Sequence, residues 1–200
     1  EPSRLGIELN NMPSFMEGFE VTEVEENSVD TTWEPVWGEE KEIRNNYKEL
    51  QLTLRQPEHD RHILLTFRLF NDGLGFRYEF PEQPNLKYFV IKEERTEFDL
   101  AGDHKIFWIP GDYDTNEYPY TTSTISEIPD LMEEATVYIT AQHPIENLAV
   151  QTPSMMKSQD GLYINIHEAA LENYAAMHLN VDADEFKMST HLTPDAVGNK

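Results

Sequence analysis

The amino-acid sequence predicts an all-β protein, a sandwich of antiparallel sheets with only short helical turns. Nearly every apolar run is short, rich in β-branched or aromatic residues, and separated from the next by Pro, Gly, Asn or Asp. Several runs alternate apolar and polar residues, as expected of strands with one buried face. The chain contains no apolar stretch of about 18 residues, so we predict no transmembrane helix.

Individual strands follow from this alternation. Leu5–Leu9 and Phe19–Val24 alternate clearly, and the polar run after residue 39 is predicted to be the start of a long strand that carries Leu50, Leu52 and Leu54 on one face. Residues 121–126 are predicted as a loop or an edge strand, and residues 141–153 as an irregular connection. Further strands are predicted over 88–91, 104–109, 162–167, 174–181 and 185–192, with a helical turn over 129–134.

Residues 63–80 give the clearest local prediction, a β-hairpin. Two alternating runs flank Asp72-Gly73, a pair typical of a two-residue type I′ turn. That turn would place two arginines opposite each other, which costs energy unless acidic groups lie near them. The predicted pairs are Leu69 with Phe76, Phe67 with Tyr78, and Arg68 with Arg77.

Composition excludes several classes of partner. The chain has 38 acidic and 15 basic residues, a formal net charge of −23. Nucleic-acid binding and anionic membrane surfaces both require clustered Lys and Arg, so neither is expected as a partner. Cysteine is absent, which removes disulfides, thiolate catalysis and zinc–thiolate sites.

Catalytic motifs are not evident in the residues alone. The chain has no Gly-x-Ser-x-Gly elbow and no phosphate-binding Gly-rich loop. His167-Glu168 lacks the second His of a zinc-protease helix, while His178 and His191 lie in predicted strands and are expected to pack or form hydrogen bonds. Paired carboxylates hydrolyse glycosides, but among 38 acids no pair stands out. These residues do not by themselves define an enzyme.

The stretch 108–120 is the least explained by packing. Pro110-Gly111 interrupts a strand, and three carboxylates and three tyrosines follow. Carboxylates suit calcium and aromatic rings suit a sugar, but the order of an EF-hand is missing. Composition alone therefore favours a solvated acidic loop, with a sugar-binding aromatic platform as an alternative. The residues concerned are Trp108, Asp112, Tyr113, Asp114, Glu117, Tyr118 and Tyr120.

Four segments carry a resemblance to a known family. They are Glu34–Tyr47, Phe67–Pro81, Phe107–Asp114 and Asp160–Leu171. Together they resemble the N-terminal domain of glycoside hydrolase family 97, whose members include α-glucosidases of bacterial starch utilisation. The resemblance runs from about Leu5 to the C-terminus, so we interpret residues 1–200 as this one domain.

The resemblance implies a multidomain enzyme. Family members have an N-terminal β-super-sandwich, a central (β/α)8 barrel that carries the catalytic carboxylates, and a small C-terminal β domain. We therefore expect an incomplete sandwich that has no catalytic residue and is inactive alone. Its partners would be its own barrel and an α-linked oligosaccharide, and it would be exported to the periplasm. A retaining α-galactosidase parent or a stand-alone sugar-binding module are the alternatives.

The family also binds one calcium ion in the active site, with most ligands in the barrel and one glutamate from the N-terminal domain. By its place after Trp-Ile-Pro-Gly-Asp-Tyr, Glu117 matches that ligand. Trp108, Asp112, Tyr113 and Asp114 would shape the loop or lie on the substrate side. For Asp112 and Asp114 the solvated-loop interpretation stays open. The chain alone should not hold calcium tightly, because the ion takes about six to eight oxygens.

Overall fold

The structure, a computed structural model, describes residues 3–194 and confirms the all-β class. Besides a 3₁₀ turn at Pro57–His59, this part of the chain contains one helix, α1 (Ile128–Ala135), and no helix long and apolar enough to cross a membrane. In chain order the strands are β1 (Ile7–Leu9), β2 (Glu20–Trp33), β3 (Ile43–Gln56), β4 (Arg61–Leu69), β5 (Leu74–Glu79), β6 (Ile91–Glu94), β7 (Glu97–Asp99), β8 (Lys105–Trp108), β9 (Thr121–Thr124), β10 (Ala149–Gln151), β11 (Ser154–Lys157), β12 (Tyr163–Ile166), β13 (Met177–Asp182) and β14 (Lys187–Leu192).

Residues 3–16 and 89–194 form one compact unit. Its two four-stranded antiparallel sheets have the strand orders β10-β13-β14-β7 and β12-β11-β8-β9, and β1 pairs with β6. Apolar side chains from both larger sheets and from α1 form a single buried core. Two sheets that share one core are the sandwich that the sequence predicted. The core includes Ile106, Trp108, Ile128, Met156, Leu179 and Met188.

Glu17–Tyr88 forms the second unit, a four-stranded meander with the order β2-β3-β4-β5. The predicted long strand is present as β3, where Leu50, Leu52 and Leu54 lie opposite Phe67, Leu65 and Ile63 of β4. Alternate residues are polar and bond across the strands: Gln51 Nε2 donates to Thr66 Oγ1 at 3.0 Å. The unit thus has one apolar and one polar sheet face.

The predicted register of the β4–β5 hairpin is wrong by two residues. Leu69 pairs with Leu74 and Phe67 with Phe76, so the connection has four residues, 70–73. A type I′ turn requires positive φ at both central residues, and neither Asp72 nor Gly73 has it. As a result Arg68 lies opposite Gly75 and not opposite a second arginine. Its Nε donates to Glu49 on β3 at 2.7 Å.

Two other predictions are corrected. The predicted strand 88–91 is present only at Ile91, where β6 begins, and β6 then continues into the polar run that follows. Glu94 is buried there because Thr96 and Tyr174 donate hydrogen bonds to its carboxylate, a compensation that alternation cannot reveal.

Residues 141–153, predicted as an irregular connection, contain the strand β10. The strand predicted over 174–181 is confirmed as β13. Of the tail predicted over 193–200, the part from residue 195 onward lies outside the described residues.

Candidate functional site

Strand β8 leads into the acidic loop from the core. Trp108, its last residue, is 1% exposed and its Nε1 donates to Ser123 Oγ on β9 at 3.0 Å. Tyr118 is also buried. Because these two rings are buried, Trp108, Tyr113, Tyr118 and Tyr120 do not together form a sugar-binding platform on the surface. Trp108 instead anchors the start of the loop.

Gly111 lets the loop lie close to a second segment. Its N–H donates to the Ala149 carbonyl at 2.8 Å, and its own carbonyl accepts from Ile145 N–H at 3.0 Å. A Cβ at this position would lie 3.0 Å from both Ala149 Cβ and Ile145 Cδ1. The approach requires glycine because any side chain would force these neighbours to move.

Asp112 is the centre of the loop's hydrogen bonding. Its side chain is buried, and Oδ1 accepts from the N–H groups of Asp114 at 2.8 Å and Thr115 at 3.0 Å. The His143 N–H donates to both oxygens, at 3.0 Å and 2.8 Å, and Tyr118 OH donates to Oδ2 at 2.8 Å. One carboxylate thus joins both halves of the loop to the segment at residue 143. This buried role excludes the solvated-loop interpretation for Asp112.

The electrostatics of Asp112 follow from these donors. Burial alone would raise the pKa of its carboxyl, but the hydrogen bonds from Asp114, His143, Tyr118 and Thr115 outweigh burial and hold the pKa below its ordinary value. Burial and the Asp112 carboxylate together raise the pKa of Tyr118 to about 12. The pair is therefore a carboxylate that accepts from a neutral phenol.

Tyr113 is surrounded by three histidines: His178 on β13, His191 on β14 and His143 in the segment before β10. Its OH lies 2.6 Å from His191 Nε2, and its ring packs edge-on against His143 and His178. His178 Nε2 lies 2.9 Å from the Asp112 carbonyl, and burial lowers the pKa of this imidazole. The histidines predicted to pack or form hydrogen bonds do so.

Asp114 and Glu117 are the exposed acids of the loop. Asp114 Oδ2 lies 3.8 Å from His143 Nδ1. Glu117 is held only through its backbone, whose N–H donates to Thr115 Oγ1 at 3.2 Å. Within residues 3–194 the Glu117 carboxylate has no hydrogen-bond or ion-pair partner. Among these residues no group of three or more His, Asp or Glu could hold a metal ion, so Glu117 could serve only as one ligand among others.

Three contributors to the loop were not found from the sequence. They are His143, Gln142, whose Nε2 donates to Tyr118 OH at 3.2 Å, and Gln151, whose Nε2 donates to the Thr115 carbonyl at 2.6 Å. All lie in the stretch predicted as an irregular connection. A backbone donor such as the His143 N–H has no side-chain signature, so no pattern could have indicated it.

The family is now clear from comparison with known proteins. Residues 1–194 match the sequence model of a protein family described as glycosyl-hydrolase 97 N-terminal, and the chain belongs to that family. A glycoside hydrolase family 97 enzyme from Pseudoalteromonas sp. strain K8, solved with acarbose, is similar over 98% of this chain at 33% identity with a TM-score of 0.81. A variant of that enzyme solved with panose gives 32% identity and a TM-score of 0.79. The chain spans 27% of the length of each.

A more distant structure shares the fold alone. A β-arabinopyranosidase is 16% identical over 96% of this chain, with a TM-score of 0.73, and the chain covers 30% of it. The fold of this chain therefore also occurs at low sequence identity.

Proposed function

We propose that this chain is the non-catalytic N-terminal domain of an enzyme that hydrolyses terminal α-glucosidic bonds of starch-derived oligosaccharides in the periplasm. Its membership of the family supports this, as do the complexes of family 97 relatives with acarbose and panose, which are α-linked oligosaccharides. The general acid and base would lie in a (β/α)8 barrel outside this chain, where two carboxylates flanking a water give inversion. Alone, the chain would not hydrolyse p-nitrophenyl α-glucoside.

We further propose that Glu117 supplies one ligand to a calcium ion whose other ligands lie in the barrel. The observation that carries this is the exposed Glu117 carboxylate, which has no partner among residues 3–194 and lies on a loop anchored by the buried Asp112 and Tyr118. A carboxylate oxygen is a hard donor of the kind calcium prefers, and one such donor fits a shared site. When bound, calcium would polarise the substrate and order the site. Glu117 would thereby tie this domain to the catalytic one.

Calcium titration of the intact enzyme tests this function. Glu117→Gln removes one charged ligand and should weaken calcium affinity measured by calorimetry at least tenfold, about 1.4 kcal/mol. Glu133→Gln, the same change at an exposed residue of α1, is the matched control and should bind as the parent does. Equal affinity in the parent and Glu117→Gln would show that Glu117 is not a ligand.

The alternatives predict different results. A stand-alone sugar-binding module would bind maltooligosaccharides without the barrel, which calorimetry with the isolated chain would detect. A retaining α-galactosidase parent would turn over α-galactosides with retention, which NMR of the released sugar would show. The galactosidase outcome leaves the calcium titration informative, because the choice of substrate is made in the barrel. The module outcome would contradict the calcium proposal as well, because a stand-alone domain has no barrel to supply the other ligands.

A further inference from the structure

The position of Glu117 is fixed by its neighbours, not by its own side chain. Thr115, on one side, is held through its N–H by Asp112 and through its carbonyl by Gln151. Tyr118, on the other side, is buried with its OH on Asp112 Oδ2. Glu117 thus lies on a short span whose two ends are both bonded to the same carboxylate.

The fixed ends leave the span little freedom. From Thr115 to Tyr118 the chain includes only two residues between bonded positions, and the Glu117 N–H is itself bonded to Thr115 Oγ1. Gln142 Nε2 also donates to Tyr118 OH, which connects that ring to the segment carrying His143. A free carboxylate on a backbone restrained in this way is preorganised for a ligand that approaches from outside.

We propose that Asp112 is a positioning residue for Glu117: through Thr115 and Tyr118 it holds the loop in the shape that presents the Glu117 carboxylate to calcium. This proposal rests on the proposed function, since it assumes that Glu117 is a ligand. Asp112 itself is buried with both oxygens occupied, so it does not bind the ion. Partners that orient metal ligands typically change affinity by about 10–100-fold when they are removed.

Two variants and a matched control test the proposal in the intact enzyme. Asp112→Asn puts an amide donor where only acceptors are tolerated, and Tyr118→Phe removes a single hydroxyl while keeping the ring. Each should weaken calcium affinity in calorimetry by about tenfold. Tyr174→Phe loses a comparable hydroxyl outside this loop, one bonded to the buried carboxylate of Glu94 and not to that of Asp112. It should keep its calcium affinity within about twofold.

Calcium dependence separates positioning from ligation. Because Asp112→Asn and Tyr118→Phe retain Glu117, saturating calcium should restore their kcat, whereas Glu117→Gln should stay impaired. If Asp112→Asn does not fold, Tyr118→Phe carries the test. Parental calcium affinity in the folded variants, together with weakened binding in Glu117→Gln, would overturn the positioning role alone. Parental affinity in Glu117→Gln would overturn the proposed function.

Discussion

The loop Asp112–Tyr118 and strand β2 are both rich in carboxylates but differ in how those carboxylates are solvated. Every acid of β2 is exposed, and the Asp30 carboxylate accepts two hydrogen bonds from the guanidinium of Arg44. In the loop, Asp112 is buried and accepts hydrogen bonds from the backbone and from Tyr118. An acid-rich sequence therefore indicates little by itself. Convergent donors around a buried carboxylate distinguish the organised loop from a solvated strand.

The largest expected effect comes from removing the central carboxylate. Asp112→Ala leaves three backbone N–H groups and the Tyr118 OH without their acceptor, and we expect it to lower the free energy of unfolding by about 3 kcal/mol. Urea denaturation measures this. The matched change Asp30→Ala on β2 should leave the midpoint nearly unchanged. Similar losses of unfolding free energy in both variants would contradict the difference between the loop carboxylate and the carboxylate on β2.

A smaller effect is expected where the loop meets its neighbouring segment. Gly111→Ala would place Cβ against Ala149 and Ile145 and should lower the free energy of unfolding by about 2 kcal/mol through overpacking. Gly75→Ala in β5, where a Cβ meets nothing within 4 Å, is the control. It should be neutral or slightly stabilising, since alanine restricts the unfolded chain. A stable Gly111→Ala variant would contradict the close approach.

Glu94 sharpens the comparison because it is buried, and among residues 3–194 the donors to its carboxylate are the hydroxyls of Thr96 and Tyr174. Burial raises the pKa of its carboxyl despite these two donors, opposite to the direction at Asp112. A raised folded-state pKa means that the stability linked to Glu94 is full below the ordinary pKa of about 4.3 and is lost as pH rises through the folded value.

Thermal unfolding across pH tests this sign. Glu94→Gln cannot ionise, so the Tm of the variant minus the Tm of the parent should increase as the pH rises from about 4 to about 7. A Glu94→Gln difference that is constant, or that shrinks toward neutral pH, would contradict the assigned direction.

The sequence predicted the fold class better than the details that pairing decides. Alternation identified strands such as β3 because Leu50, Leu52 and Leu54 follow the two-residue period of a half-buried strand. The β4–β5 register was missed because Asp72-Gly73 has alternatives to the type I′ turn that only strand pairing selects. Strand β6 was predicted only at Ile91, because the burial of Glu94 depends on Tyr174, 80 residues away.

For the site, the sequence located the loop but not the roles within it. The Trp-Ile-Pro-Gly-Asp-Tyr motif led to Glu117, yet Asp112, Asp114 and Glu117 look alike in composition. Their difference comes from His143, whose N–H reaches Asp112 across 31 positions, and from the close approach at Gly111. Such long-range backbone contacts leave no pattern in the residues that form them.

The most direct test of the central claim is a structure of the intact enzyme with calcium. If Glu117 is the ligand that Asp112 positions, a Glu117 carboxylate oxygen should lie about 2.3–2.6 Å from the ion, with Asp112 still bonded to Tyr118 and not to calcium. A calcium ion whose oxygen shell is complete without Glu117 would contradict the account.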